Sequence, residues 1–141
     1  MQVKNKIVKS TGVLCLIASF TAFAGKGPSA ESVDGAKTIT AQEAKVLWQN
    51  GATFIDTRKG SDWEAGRVPG ALHLNVKKTE FNKDNILNYI GINDAVISYC
   101  NAEKCHRAAS GAKKLVGFGF TQVYYYRQGF PSWKNAGYPY E

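Results

Sequence analysis

Two cysteines carry most of the chemistry this sequence offers. Cys100 follows the apolar run Ala95-Val96-Ile97-Ser98-Tyr99 and opens the loop Cys100-Asn101-Ala102-Glu103-Lys104-Cys105; a segment rich in small residues and lysine then starts at His106. A β-type run, a sulfur, a tight loop and a helix, in that order, put a thiol at the carboxyl edge of a buried strand, where open α/β sheets hold their reacting groups. The expectation is a thiol that is exposed, faces a helix N-terminus and is ionised there, because the free N–H groups and about half a positive charge at a helix start favour an anion. The backbone N–H groups of Asn101, Ala102, Glu103, Lys104 and Cys105 would form a nest around that sulfur. Such a nest suits a persulfide as well as a thiolate, and the thiolate is the nucleophile that sulfur chemistry needs.

The residues around the loop divide into chemical and plain readings. Arg58, Arg67, Lys104 and Arg107 are candidates to attract a small anionic substrate; each also reads as a solvated surface charge. Asp56 and Arg58 end an apolar run and read first as an ion pair tying loops beneath the site. Cys105 admits three roles: a resolving thiol that attacks a Cys100 persulfide, a resting partner that protects Cys100 from over-oxidation, or an inert small residue. Cys-x4-Cys-His is a stretched form of a haem-attachment signature, and its three side chains suit zinc or copper, but the sequence holds only one other histidine, His73, in a predicted strand. No metal and no cofactor is therefore expected. The aromatic group Tyr124-Tyr125-Tyr126, Phe130 and Trp133 is assigned to core packing rather than to a substrate pocket.

The first segment must be set aside before the fold is read. Lys4, Lys6 and Lys9 precede the apolar centre Val13-Leu14-Cys15-Leu16-Ile17-Ala18-Ser19-Phe20, and Ala22-Phe23-Ala24 supplies a small-x-small site. Residues 1–24 are thus expected to be a signal peptide cleaved after Ala24, and the protein to be periplasmic or secreted. The apolar run is short for a retained anchor, and Cys15 sits inside it rather than at its end, against a lipoprotein. Without that segment Cys100 and Cys105 are the remaining cysteines, and fifteen basic against eleven acidic residues leave a net charge of +4. That charge is too mild to argue for nucleic acid, but favours small anionic substrates. An oxidising compartment would let the two cysteines pair.

Residues 25–37, rich in Gly, Ser and Ala, read as a flexible leader, and residues 38–141 as one domain. Thr40-Ala41-Gln42-Glu43 is a capping box ahead of a helix that ends near Asn50-Gly51. Thr53–Ile55 is a strand, 61–66 a helical turn, Val68-Pro69-Gly70 a turn, and 71–76 a strand. A helix over 81–90, a strand over 95–99 and a helix over 106–118 follow, the last with Ala109, Ala112, Leu115 and Val116 on one side. A strand over 122–126 and a short helix around Trp133 complete the chain. Strands alternating with helices specify an α/β fold, a parallel sheet of about five strands with helices on both faces.

With those elements assigned, the chain from about Ile39 to Tyr140 resembles a single-domain rhodanese. Four stretches carry the resemblance: Phe54-Ile55-Asp56-Thr57-Arg58; Trp63-Glu64-Ala65-Gly66-Arg67-Val68-Pro69-Gly70-Ala71; Ile97-Ser98-Tyr99-Cys100; and Gly119-Phe120-Thr121-Gln122-Val123 continuing to Gly129-Phe130-Pro131-Ser132-Trp133 and Gly137-Tyr138-Pro139. Where family loops commonly run Cys-x-x-Gly-x-Arg, this chain has Glu103 and Cys105 in the places of Gly and Arg, and Arg67 stands where His is usual. The pattern Cys-x4-Cys-x-Arg is similar to a two-cysteine branch of exported rhodaneses. The resemblance implies a rhodanese-like fold and a sulfurtransferase that carries sulfane sulfur on Cys100, passing it to cyanide, a small thiol or a protein thiol. The same loop also suits a dithiol–disulfide oxidoreductase using Cys100 and Cys105, or a module that binds partners without catalysis. A phosphatase or arsenate reductase would need Cys-x5-Arg, and Arg107 lies one residue too far.

Overall fold

The computed structural model describes residues 27–141. The basic start, the apolar centre and the site after Ala24 lie outside the described residues. The elements run β1 (Lys37–Thr38), α1 (Ala41–Gln49), β2 (Thr53–Asp56), α2 (Gly60–Glu64), β3 (Leu72–His73), α3 (Lys83–Leu87), β4 (Ala95–Tyr99), α4 (Arg107–Gly117), β5 (Gln122–Tyr126) and α5 (Gly129–Asn135). The five strands form one parallel sheet in the order β1-β5-β4-β2-β3. Helices cover both faces, as the alternation of elements requires. Among the described residues no helix is long and apolar enough to cross a membrane.

Local chemistry starts each element. Thr40 Oγ1 accepts from the Glu43 N–H, and the Glu43 carboxylate accepts from the Thr40 N–H at 2.8 Å, closing the capping box of α1. That backbone bond, helped by Lys37, holds the Glu43 carboxyl below its ordinary value. Asn82 caps α3 by accepting from the Asn85 N–H, so this helix begins later than the expected 81–90 span. The strand expected over 71–76 is only two residues long. Its continuation still bonds to the β2 exit, Leu74 N–H donating at 3.0 Å to the carbonyl of Asp56, the last residue of β2, and Val76 N–H at 3.4 Å to Thr57 O in the loop beyond it.

The period of two along the strands divides the core. Val96 and Cys100 join the cluster under α3 and α4, with Ile55, Ile86, Ala108, Ala112 and Leu115. Ile97 and Tyr99 join the opposite cluster under α1 and α5, with Phe54, Ala44, Phe130 and Trp133. Helix α4 buries Ala108, Gly111, Ala112 and Leu115, a stripe rotated by one residue from the expected one. Ala109 and Val116 are partly buried instead, beside Val33 and Ala36 of the segment before β1. That segment was expected to be a flexible leader, yet Ser29 within it is 3% exposed. Strand β1 was missed because Lys37-Thr38 shows no apolar alternation.

Helix α4 approaches the sheet at Gly111. A Cβ there would lie 2.6 Å from Ser98 Oγ and 2.9 Å from Thr57 Cγ2. Gly111→Ala should lose about 1–3 kcal/mol to overpacking, partly offset by about 1 kcal/mol of helix propensity. A urea unfolding midpoint equal to or above that of the parent protein would contradict this close approach.

Candidate active site

The register lines up the ends of the inner strands. His73 pairs with Asp56, Asp56 with Tyr99, and Tyr99 with Tyr126, so one row of residues crosses the sheet at its carboxyl edge. From this row the chain passes into Arg58, Cys100 and Arg127. Asp56 and Arg58 are both buried. Arg58 Nη2 donates to Asp56 Oδ2 at 2.6 Å and Nε donates to Asp56 Oδ1 at 2.9 Å. The same guanidinium donates to Gly66 O at 2.6 Å and to Asn101 Oδ1 at 3.2 Å. Asn101 in turn donates to Asp62 Oδ2 at 3.0 Å. The phenol of Tyr99 donates to Asp56 Oδ2 at 2.7 Å and accepts from the Val68 N–H at 3.3 Å. His73 Nε2 donates to Arg58 O at 2.9 Å, which makes that nitrogen the protonated one.

Burial works against the Arg58 cation, but the bonds and charge of Asp56 outweigh it and hold the guanidinium above its ordinary value. Burial first, then the neighbouring Asp56 charge, pushes the Tyr99 phenol far above its ordinary value. The network therefore joins the loop after β2, helix α2 and Asn101 of the reactive loop into one charged frame.

Cys100 differs from its expectation. It is 1% exposed, belongs to the apolar cluster under α4, and is joined to Cys105 by a disulfide with the Cα atoms 6.2 Å apart. Strand alternation is the reason: Tyr99 points to the α5 face, so the next side chain points into the α4 side rather than out of the edge. Among the described residues no donor bonds to the Cys100 sulfur in this oxidised state. The N–H groups of Asn101, Ala102, Glu103 and Lys104 also donate to no protein oxygen among the described residues, whereas Cys105 N–H donates to Ala102 O at 2.9 Å. Helix α4 starts two residues beyond Cys105, with no side chain capping it. Behind the sulfur, the Phe130 N–H donates to Cys100 O at 2.9 Å, and Gly129, at φ +64°, leaves no room for a Cβ against that carbonyl.

The other basic candidates turn elsewhere. Arg67 stacks on Trp63 at 4.4 Å, and its Nε lies 3.4 Å from a Glu141 carboxylate oxygen without an aligned hydrogen bond. Arg107 Nη1 donates to Asn75 Oδ1 at 2.7 Å. Lys104 is exposed. His106 Nε2 donates to Gly27 O at 2.8 Å, and among the described residues no group of three His, Cys, Asp or Glu side chains could hold a metal. A cleft of about 320 Å³ beside the loop is lined by Arg58, Asp62, Asn101, Phe130 and Lys134, among others. A second, of about 490 Å³, shares Pro131 and Asn135 with it and reaches Ala102, Glu103 and Lys104.

A family model described as a rhodanese-like domain matches residues 40–136. The chain belongs to the rhodanese-like domain family. The thiosulfate sulfurtransferase GlpE of Pseudomonas entomophila (strain L48) is 32% identical over 104 residues, which cover 73% of this chain and 88% of that protein. GlpE of Pseudomonas savastanoi pv. phaseolicola (strain 1448A / Race 6) is 29% identical over 108 residues, covering 73% and 91%. Among solved structures, the BH2092 protein from Bacillus halodurans matches with TM-score 0.65 at 19% identity, over 75% of this chain and 77% of that one. The rhodanese-like domain from the Anabaena sp. Alr3790 protein matches with TM-score 0.61 at 20% identity, over 77% and 80%. These two support the fold, and the GlpE relatives support the activity class: the chain is a sulfurtransferase of the rhodanese-like family.

Three contributors to this rhodanese-like site went unread in the sequence. Tyr99 reads in the sequence as a strand residue, although its place beside Cys100 and opposite Asp56 in a parallel pair is a usable signal. Asp62 and Arg127 carry no motif of their own.

Removing the Asp56 charge would leave Arg58 buried and unpaired, so Asp56→Asn should cost about 3–5 kcal/mol; an unfolding midpoint near that of the parent would show that the frame is not under this constraint. A phenol with a raised folded-state value keeps its contribution below its unfolded value, near pH 10, and loses it as pH climbs toward the folded value. Stability should thus decline above about pH 10, and Tyr99→Phe should flatten the decline without abolishing it, since burial raises Tyr126 in the same direction. Denaturant midpoints measured across that range check both statements.

Proposed function

We propose that this chain is an exported sulfurtransferase that moves sulfane sulfur from thiosulfate or polysulfide, through a persulfide on Cys100, to a thiophilic acceptor. The observation that carries the reading is Cys100 at the carboxyl end of β4, next to the Asp56–Arg58–Asn101 frame, in a chain whose relatives are named thiosulfate sulfurtransferases. Export rests on the pattern of residues 1–24 in the sequence.

The chemistry begins once the disulfide is reduced. The Cys100 thiolate attacks the outer sulfur of thiosulfate, the S–S bond of the donor breaks, and sulfite leaves with the electron pair. The N–H groups of residues 101–104, which have no protein acceptor among the described residues, would cradle the terminal persulfide sulfur. Asn101 has a second part: its side chain fixes the start of that cradle to Arg58 and Asp62. Arg58 and Asp56 act as frame, whereas Arg67 and Arg107 would steer anions only from outside it. An acceptor nucleophile, either cyanide, a small thiol or a protein thiol, then takes the outer sulfur and frees Cys100. Alternatively the Cys105 thiolate attacks Cys100 Sγ, expels hydrosulfide and closes the disulfide. No metal, cofactor, nucleic acid or membrane enters this account.

The Cys100–Cys105 bond favours a second reading, a dithiol–disulfide oxidoreductase, in which the pair exchanges electrons and carries no sulfane sulfur. Intact-mass analysis after reduction and exposure to thiosulfate separates the two. Cys100 should gain one sulfur atom that reductant removes; Cys105→Ser should retain that gain and Cys100→Ser should lose it. A Cys100→Ser protein that still loads sulfur or keeps full transferase turnover defeats the persulfide reading, and a pair that cycles while Cys105→Ser also gains no sulfur supports the second one.

A further inference from the structure

The ties on the reactive loop beyond Asn101 lead to a short segment ahead of the family match. Ser29 donates to Glu103 O twice, from its backbone N–H at 2.7 Å and from its hydroxyl at 2.7 Å. Its own carbonyl accepts from Arg127 Nη2 at 3.0 Å, while Arg127 Nη1 lies 3.8 Å from the Glu103 carboxylate. The Tyr125 phenol donates to Ala30 O at 2.8 Å and lies 3.2 Å from Ser29 Oγ. Gly27 O receives the His106 ring N–H. Residues 27–30 therefore clasp the loop at Glu103 and again just past Cys105. The family match covers 40–136, so this strap lies outside it. The main chain of Cys100 is held separately, from the α5 side, by Phe130 and Gly129.

The two sulfurs are consequently unequal. Cys100 is sealed under the loop, whereas Cys105 is partly exposed. We propose that the strap, through Ser29, gates reductive activation: it keeps the loop closed so that an incoming thiol reaches Cys105 alone, and Cys100 is released as the leaving thiolate. Ser29 and Arg127 are positioning residues in this scheme, and the proposal rests on the reading of Cys100 as the sulfur carrier. A small-molecule thiolate attacks Cys105 Sγ. A new S–S bond forms there, the Cys100–Cys105 bond breaks, and the electron pair leaves on Cys100. A second thiol attacks the sulfur of the bound reductant and departs with it as the symmetrical disulfide, returning Cys105 as a thiolate. Two thiols supply the two electrons, and their protons pass to the cysteines or to water. Attack in this sense yields directly the nucleophile that sulfur transfer requires, with the mixed disulfide parked on the other residue.

The test uses the oxidised full chain and glutathione, with acid quenching at early times, peptide mass mapping of the adduct and intact mass for the opening rate. The expected adduct lies on Cys105 over Cys100 by about tenfold or more, in keeping with the control of exchange by access. Ser29→Pro removes both donors to Glu103 O and should lower that ratio and speed opening by about threefold or more, while Ser29→Thr should stay within about twofold of the parent. Arg127→Gln loosens the same tie from the other end and decides the matter if Ser29→Pro fails to fold. An adduct on Cys100 in the parent, a folded Ser29→Pro or Arg127→Gln protein with unchanged ratio and rate, or a protein that forms no Cys100–Cys105 bond overturns the gate. Thiosulfate loading of the reduced samples is read separately. Its loss in the parent with the Cys105 preference intact removes the sulfur-carrier reading and leaves the gate standing.

Discussion

The carboxyl edge of the sheet is organised by the need to keep one buried charge pair satisfied. Taking a carboxylate and a guanidinium out of water costs several kcal/mol per ion, and only close geometry with every remaining donor and acceptor occupied repays it. Asp56 and Arg58 meet that demand by recruiting the Tyr99 phenol, the Gly66 carbonyl and Asn101. The recruits come from two other stretches of chain, Gly66 just past α2 and the pair Tyr99 and Asn101 on either side of Cys100. The pair thereby fixes the exits of β2 and β4 relative to each other, and it does so on the α5 side of the sheet.

The sulfur chemistry lies on the other side of that divide. Because strand alternation runs on through Tyr99 and Cys100, the phenol completes the rigid frame while the thiol turns under α4. The main chain of Cys100 is immobilised by α5, whereas the stretch from Ala102 to His106 hangs on hydrogen bonds to residues 27–29 and Arg127. The sulfur and its cover are thus held from opposite directions, the one by α5 and the other by the segment before β1. Glu103, standing where the family commonly has glycine, supplies both the carbonyl and the carboxylate through which that cover is tied.

What the sequence made legible was local. The Thr40–Glu43 box, the β4 run into Cys100 and the turn at Pro69-Gly70 each follow from side-chain chemistry within a few residues, and each sits where it was read. The strand-to-loop position of Cys100 was therefore accessible, but its burial was not, because that depends on which face the alternation leaves it. The same limit explains Arg67 and Arg107, whose partners Glu141 and Asn75 lie far along the chain. Residues 27–36 misled most. A composition of Gly, Ser and Ala describes a segment without a core-facing pattern, yet Ser29 is fixed by main-chain acceptors that no composition announces.

The brief pairing of Lys37 and Thr38 with Tyr124 and Tyr125 has a consequence of its own. Two residues add little cohesion, but they occupy the outer rim of β5, which would otherwise offer a bare line of main-chain groups to any passing extended peptide. A fragment trimmed to the limits of the family match would begin after this cover and present that rim to its own neighbours. Its solubility, rather than its folding, would be the first property to suffer.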